Sequence, residues 1–305
     1  MKKVTKKIIS VLLAVSVIFG TGINAYAATQ DDLEVRERTI VSELMADGLS
    51  KKDAEYYAAL DTMIRQMERT GEVLQLGDAV EAMDVDTALE NQALFRARVL
   101  EKDPAAVKCA LTMTSSLLGQ QEMQALTATY QDQNEYTIVY PDGSKITYSS
   151  GTNEIKNPES LYASGTSSET FGSGTITQYT NYTGYGEYKM TSGVNYSKNR
   201  VDVEYTYAST GVTMTYAEGS QSSYGVVLIS NSNSGEISRE KSTSTKPAEA
   251  NNQVIYQISG SVGGSVTLVG YEVSVSISGG ANWTQTVYFR VKKNGDWSAV
   301  ASTYV

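Results

Sequence analysis

From about residue 131 to the C-terminus, apolar side chains return at every second position, and that period dictates strands. Val201, Val203, Tyr205 and Tyr207 alternate with polar residues, as do Val254, Tyr256 and Ile258, and later Val287, Phe289 and Val291. A helix would scatter such residues around its axis, whereas a pleated strand gathers them on one face. Turn residues separate the runs. Pro141-Asp142-Gly143 divides Tyr136–Tyr140 from Lys145–Tyr148, and Ser209-Thr210-Gly211 leads into Val212, Met214 and Tyr216. Gly263-Gly264 reads as another turn, and Asn294-Gly295 as a two-residue hairpin before Trp297, Ala299 and Ala301. Apolar parity flips between Val266 and Leu268 on one side and Val273, Val275 and Ile277 on the other. One extra residue, a β-bulge near Gly270, would explain it.

The composition divides at the same place. Residues 131–305 hold 17 of the 21 tyrosines, 19 of the 25 glycines and 48 serines and threonines. Residues 28–130 instead carry 19 acidic against 10 basic side chains and most of the leucine, methionine and alanine. Helical spacing governs there. Leu33, Ile40, Val41 and Leu44 precede Gly48, a helix stop. Ser50 and Asp53 form a capping pair ahead of Tyr57, Leu60, Ile64 and Met67, with Gly71 as the next stop. Leu89, Ala93 and Leu100 mark a third helix, and Asp103-Pro104 opens a fourth with Val107, Leu111 and Leu118 inward. The expected fold class is α+β. A small acidic α-helical bundle over 28–130 precedes an all-β antiparallel sandwich over 131–305, with residues 150–174 a Ser/Thr/Gly-rich loop or linker.

Residues 1–27 have the three parts of a secretory signal peptide. Lys2, Lys3, Lys6 and Lys7 are the basic start, Ile8–Phe19 the apolar run, and Ala25-Tyr26-Ala27 the small-x-small cleavage pattern. The apolar run is too short to span a bilayer. Cleavage before Ala28 removes four lysines and moves the formal net charge from −9 to −13. No second long apolar stretch follows, so the expectation is a secreted protein with no permanent membrane anchor.

The chain has no histidine and one cysteine. This removes Ser-His-Asp and Cys-His catalytic units, histidine metal ligands and any disulfide framework within one chain. Cys109 is expected to be a small buried hydrophobe. The acidic balance argues against nucleic acid as a partner, because phosphate backbones need clustered Lys and Arg. Asp84 and Asp86 begin like a calcium loop, but no glycine and distal glutamate follow in register, so no metal and no cofactor are expected. Ser238-Arg239-Glu240-Lys241 fits S-x-x-K by chance, since its partner motifs are absent.

Two constellations carry chemistry. Asp202 and Glu204 lie two apart on one strand and so share a face, the arrangement of a histidine-free glycoside hydrolase. The plainer account is that Val201, Val203 and Tyr205 face the core while the carboxylates face water. The aromatic set is Trp283 with Tyr182 and Tyr185, which could present rings to an extracellular protein or a glycan. Trp297 shares parity with Ala299 and Ala301 and belongs to the core, whereas Trp283, after Gly279-Gly280, is expected at the surface. The functional expectation is binding or surface interaction without catalysis. Two alternatives are a membrane-active β protein built on a hairpin such as Ser259–Ser278, and the Asp202/Glu204 hydrolase.

Overall fold

A computed structural model describes residues 30–75, 96, 99–102, 127–132, 135–139, 144–152, 168–176, 180–268, 271–275 and 282–304. The helices are α1 (Gln30–Ala46) and α2 (Lys51–Thr70). The strands begin with β1 (Leu74–Gln75), β2 (Thr127–Asp132), β3 (Glu135–Val139), β4 (Lys145–Thr152) and β5 (Ser168–Thr175). The long central strands are β6 (Thr180–Thr191), β7 (Asn195–Ala208) and β8 (Gly211–Gly225), followed by β9 (Val227–Ser232) and β10 (Glu236–Arg239). The remainder are β11 (Ala248–Ile258), β12 (Val262–Leu268), β13 (Tyr271–Val275), β14 (Asn282–Val291) and β15 (Asp296–Tyr304). The protein is therefore mostly antiparallel sheet with two helices near its N-terminus. The bundle expected over 28–130 reduces, among the described residues, to this helical pair plus short helical pieces at 96 and 99–100.

The helix ends form as their residues dictate. Ser50 is the N-cap, its Oγ accepting the Asp53 N–H at 3.2 Å, and Gly71 closes α2 in the left-handed region at φ 70°. Asp61 is fully buried on α2 and accepts from Arg36 Nε of α1 at 2.9 Å, tying the two helices together.

Two six-stranded sheets pack face to face. One runs β2-β3-β4-β6-β7-β8; the other runs β10-β11-β14-β15-β5, with β9 also paired to β11. Their facing sides carry the alternating residues of the sequence: Val201, Val203, Tyr205 and Tyr207 from one sheet, and Val287, Phe289, Val291 and Trp297 from the other, all buried. Rings stack through the layer. Tyr182 lies 5.5 Å from Tyr205, Tyr205 lies 5.9 Å from Phe289, and Phe289 lies 5.5 Å from Trp297. Buried amides bond across the interior as well, with Asn252 Nδ2 donating to Asn199 Oδ1 at 2.9 Å and to Gln221 Oε1 at 3.1 Å. Such paired polar groups fix how the two sheets register.

The helices cover one end of the outer face of the first sheet. Tyr56 Oη donates to the Gly193 carbonyl at 2.5 Å and Tyr57 Oη to the Ser192 carbonyl at 2.6 Å. Tyr196 stacks 6.1 Å from Tyr57 and donates to Asp47 at 2.9 Å. Burial pushes the Tyr56 phenol up to about 12 and raises that of Tyr196 as well, so both stay protonated at ordinary pH. Helical and strand residues share one hydrophobic cluster. Neither α1 nor α2 reaches the far end of that outer face.

Several expectations change. Residues 168–174, placed in a linker, form most of β5, which pairs with β15 from Asp296↔Thr175 to Ser302↔Ser168. Gly172 and Gly174 within it serve close packing rather than flexibility. A Cβ on Gly172 would come 1.6 Å from Ser150 Oγ, and one on Gly174 would come 2.5 Å from Trp297 Nε1. Gly263 and Gly264 lie inside β12, because the turn comes earlier, at Gly260-Ser261. The parity flip has a different cause from a bulge. β12 and β13 pair antiparallel in unbroken register from Gly264↔Val275 to Leu268↔Tyr271, so two strands meet there instead of one bent strand. Gly270 itself lies outside the described residues, as do Ala28, Asp84, Asp86, Cys109 and Pro141-Asp142-Gly143. The β14–β15 hairpin forms, but its loop runs from Lys292 to Gly295, with the Gly295 N–H bonded to the Lys292 carbonyl at 3.0 Å.

Glu249 on β11 supplies a pH test of this assembly. It accepts from Arg290 Nε at 2.5 Å across the β11–β14 pair and from Ser238 Oγ at 2.8 Å. Burial raises its pKa, but Ser238 and Arg290 outweigh burial and hold the carboxyl below the usual value. A lowered native pKa gives stability that is present above the unfolded value and lost as pH falls through the native one. Glu249→Gln should therefore lower Tm at neutral pH, and the difference should shrink to nothing in acid.

Candidate functional site

The end of the outer sheet face away from α1 and α2 holds a cleft of about 420 Å³, lined chiefly by Tyr185 of β6, Arg200, Asp202 and Glu204 of β7, and Tyr216 of β8. Alternation places them there. Even-numbered residues of β7 point outward because Val201, Val203 and Tyr205 point into the sandwich, and odd-numbered residues of β6 do so opposite buried Tyr182 and Tyr188.

Tyr216 arrives by another route. Val212 and Met214 are buried, and simple alternation would bury Tyr216 with them. The β7–β8 register shifts between the pairs Glu204↔Tyr216 and Tyr205↔Met214, a bulge that inserts Thr215 and turns the next side chain outward. Tyr216 is consequently 47% exposed, the only exposed large aromatic of the described residues besides Tyr304.

Arg200 organises the floor. Its Nε and one terminal nitrogen donate to the two oxygens of Asp202 at 2.7 and 2.6 Å, and its other terminal nitrogen reaches Glu187 at 3.4 Å. The guanidinium lies over the Tyr185 ring, 4.2 Å from the centroid. Burial works against its charge, yet the bonds and charges of Asp202 and Glu187 prevail and raise its pKa. Burial is also the main cause of the raised Tyr185 pKa, partly offset by Arg200. Gly151 makes room for this ring, since a Cβ there would come 3.0 Å from Tyr185 Cε1. Next to the cleft, Tyr216 Oη donates to Glu218 at 2.9 Å, and that bond is the largest cause raising the Tyr216 pKa.

Comparison with protein-family models, with curated proteins and with solved structures finds no match. The residues themselves must carry any functional reading.

Of the aromatic set read from the sequence, only Tyr185 lies in the cleft. Tyr182 is 2% exposed and stacks inward on Tyr205. Trp283, expected at the surface, is also 2% exposed and stacks 5.7 Å from Tyr256. Its parity with Val287, Phe289 and Val291 is the signal that places it in the core, and it outweighs the neighbouring glycines. Trp297 is buried as expected. Asp202 and Glu204 face outward as the alternation dictates, and the Asp202 side chain is 42% exposed. Arg200 and Tyr216 were not singled out in the sequence: the first needs the cross-strand geometry, the second the bulge. No group of three His, Cys, Asp or Glu among the described residues is arranged to hold a metal ion. No helix among them is long and apolar enough to cross a membrane.

Proposed function

We propose that this protein is exported through its N-terminal signal and acts outside the cytoplasm by binding, without catalysing a reaction, through the cleft on the outer face of the first sheet. On this reading α1 and α2 belong to a small acidic helical bundle beside the sandwich. The observation that carries the proposal is the cleft itself, in which an exposed ring, a half-buried ring and fixed charged groups converge on a rigid sheet. Recognition sites combine amphipathic aromatic area with a few oriented polar groups in this way. The extended sheet holds the groups in place before any ligand arrives, which lowers the ordering cost of association. The partner is an extracellular protein or glycan.

The hydrolase alternative keeps one specific observation, that Asp202 and Glu204 open into the same cleft. Residues two apart on a strand sit roughly 6.5–7 Å apart, within the spacing of inverting glycosidases. Against it, both oxygens of Asp202 already accept from the Arg200 fork, whereas a general acid must donate a proton to the leaving group. One experiment separates the two. Glycan cleavage and retention on cells or immobilised glycans are measured for the secreted protein, for Asp202→Asn with Glu204→Gln, and for Tyr185→Ala with Tyr216→Ala. The expected outcome is retention without cleavage, reduced by the tyrosine pair. Cleavage abolished by the carboxylate pair, with retention indifferent to the tyrosines, would replace binding by hydrolysis.

A further inference from the structure

We infer that the cleft takes an organic ammonium ion, held against the open Tyr216 ring by the carboxylates of Glu204 and Glu218. This rests on the binding reading above and names the chemistry of its ligand.

The sheet already shows the chemistry once, satisfied from within the chain. Arg200 sits on the Tyr185 ring with both oxygens of Asp202 in its fork and Glu187 within reach. One step along the strands the same grouping recurs. Glu204 is paired with Tyr216 across β7 and β8, and Glu218 is directly opposite Asp202. Among the described residues neither Glu204 nor Glu218 forms an ion pair with a Lys or Arg side chain. The second grouping thus has a ring and carboxylates but no cation from the described residues.

Hydrogen-bond supply points the same way. Ionised carboxylates only accept. The Tyr216 hydroxyl donates its hydrogen bond to Glu218, and the Arg200 donors are directed at Asp202 and Glu187. The charged groups of the cleft therefore ask for a ligand that brings N–H donors and positive charge. An anion would meet Glu204, Glu218 and Asp202 together. A ring face beside carboxylates is the arrangement that recognises alkylammonium groups, which distinguishes this place from the acidic surface in general.

Ammonium groups come from free polyamines, from lysine side chains of a peptide and from amino sugars. The test uses one probe for each: cadaverine, trilysine and the glucosamine disaccharide, with its N-acetylated form as a neutral control of nearly the same shape. Each is titrated calorimetrically into the secreted protein at low and moderate salt. At least one amine should bind roughly tenfold more tightly than the acetylated control and weaken with added salt. Glu204→Gln and Tyr216→Ala should each cost about two- to fivefold. Tyr304→Ala, which removes an exposed ring outside the cleft, should change nothing. The preferred amine identifies the source. Equal binding of acetylated and free disaccharide, abolished by Tyr216→Ala, overturns the ammonium inference and leaves the cleft as a neutral glycan site. Amine binding indifferent to both substitutions, or no binding by any probe, overturns the inference and counts against the cleft as a binding site.

Discussion

Phe289→Ala should destabilise the protein by about 3–5 kcal/mol, the usual cost of truncating a buried aromatic. The upper part of that range applies here because the neighbourhood cannot collapse into the space. The cross-strand partners of Phe289 are Ala250 and Ala299, which have no longer side chain to swing in. From the facing sheet Gly184 contributes no side chain, since a Cβ there would come 2.5 Å from the Phe289 ring. The ring also joins Tyr205 to Trp297, so its removal breaks the aromatic stack at its middle. Chemical denaturation followed by tryptophan fluorescence measures the loss. A cost below about 1 kcal/mol would mean that the facing sheets are not packed as described.

Tyr57→Ala should cost about as much, again some 3–5 kcal/mol, although it lies on a helix far from the tryptophans in sequence. It removes a buried ring that packs on Tyr196 and leaves the Ser192 carbonyl without its phenol donor. Both tryptophans lie in β14 and β15, so their fluorescence reports the sheets, while far-UV ellipticity follows the helices. If α2 and the sheets melt as one unit, the two probes shift together in this variant. A helix signal that moves alone while the tryptophan transition stays in place would show that the helical pair unfolds independently.

What the sequence conveys follows from which forces are local. Helix caps are local, and Ser50 and Gly71 form as their chemistry requires. Strand faces are set by alternation, and Val201, Val203 and Tyr205 turn inward on that basis. Glycine is ambiguous without its neighbours. In 168–174 it permits close approach to Ser150 and Trp297, yet from composition alone the same residues resemble a linker. Gly263-Gly264 resembles a turn but continues a strand, because Gly260-Ser261 has already reversed the chain. The cleft shows the limit most clearly. Asp202 and Glu204 are visible as a pair on one face, but the fork from Arg200 and the outward turn of Tyr216 depend on cross-strand register and on the bulge at Thr215. Register is a property of two strands together, and neither strand alone specifies it.

The central claim is that the outer face of β7 and β8 is where this protein meets its partner. Carbodiimide labelling of exposed carboxylates, read by peptide mass spectrometry with and without intact cells or their extracellular polysaccharide, tests it most directly. Glu204 lines the cleft and Glu218 lies beside it through its bond to Tyr216, whereas Glu34 and Glu72 are exposed in the helical segment, outside the lining, and serve as internal references. The prediction is that bound protein loses labelling at Glu204 and Glu218 while Glu34 and Glu72 label as before. Unchanged labelling at Glu204 and Glu218 in protein that is demonstrably retained would contradict it and move the binding surface elsewhere.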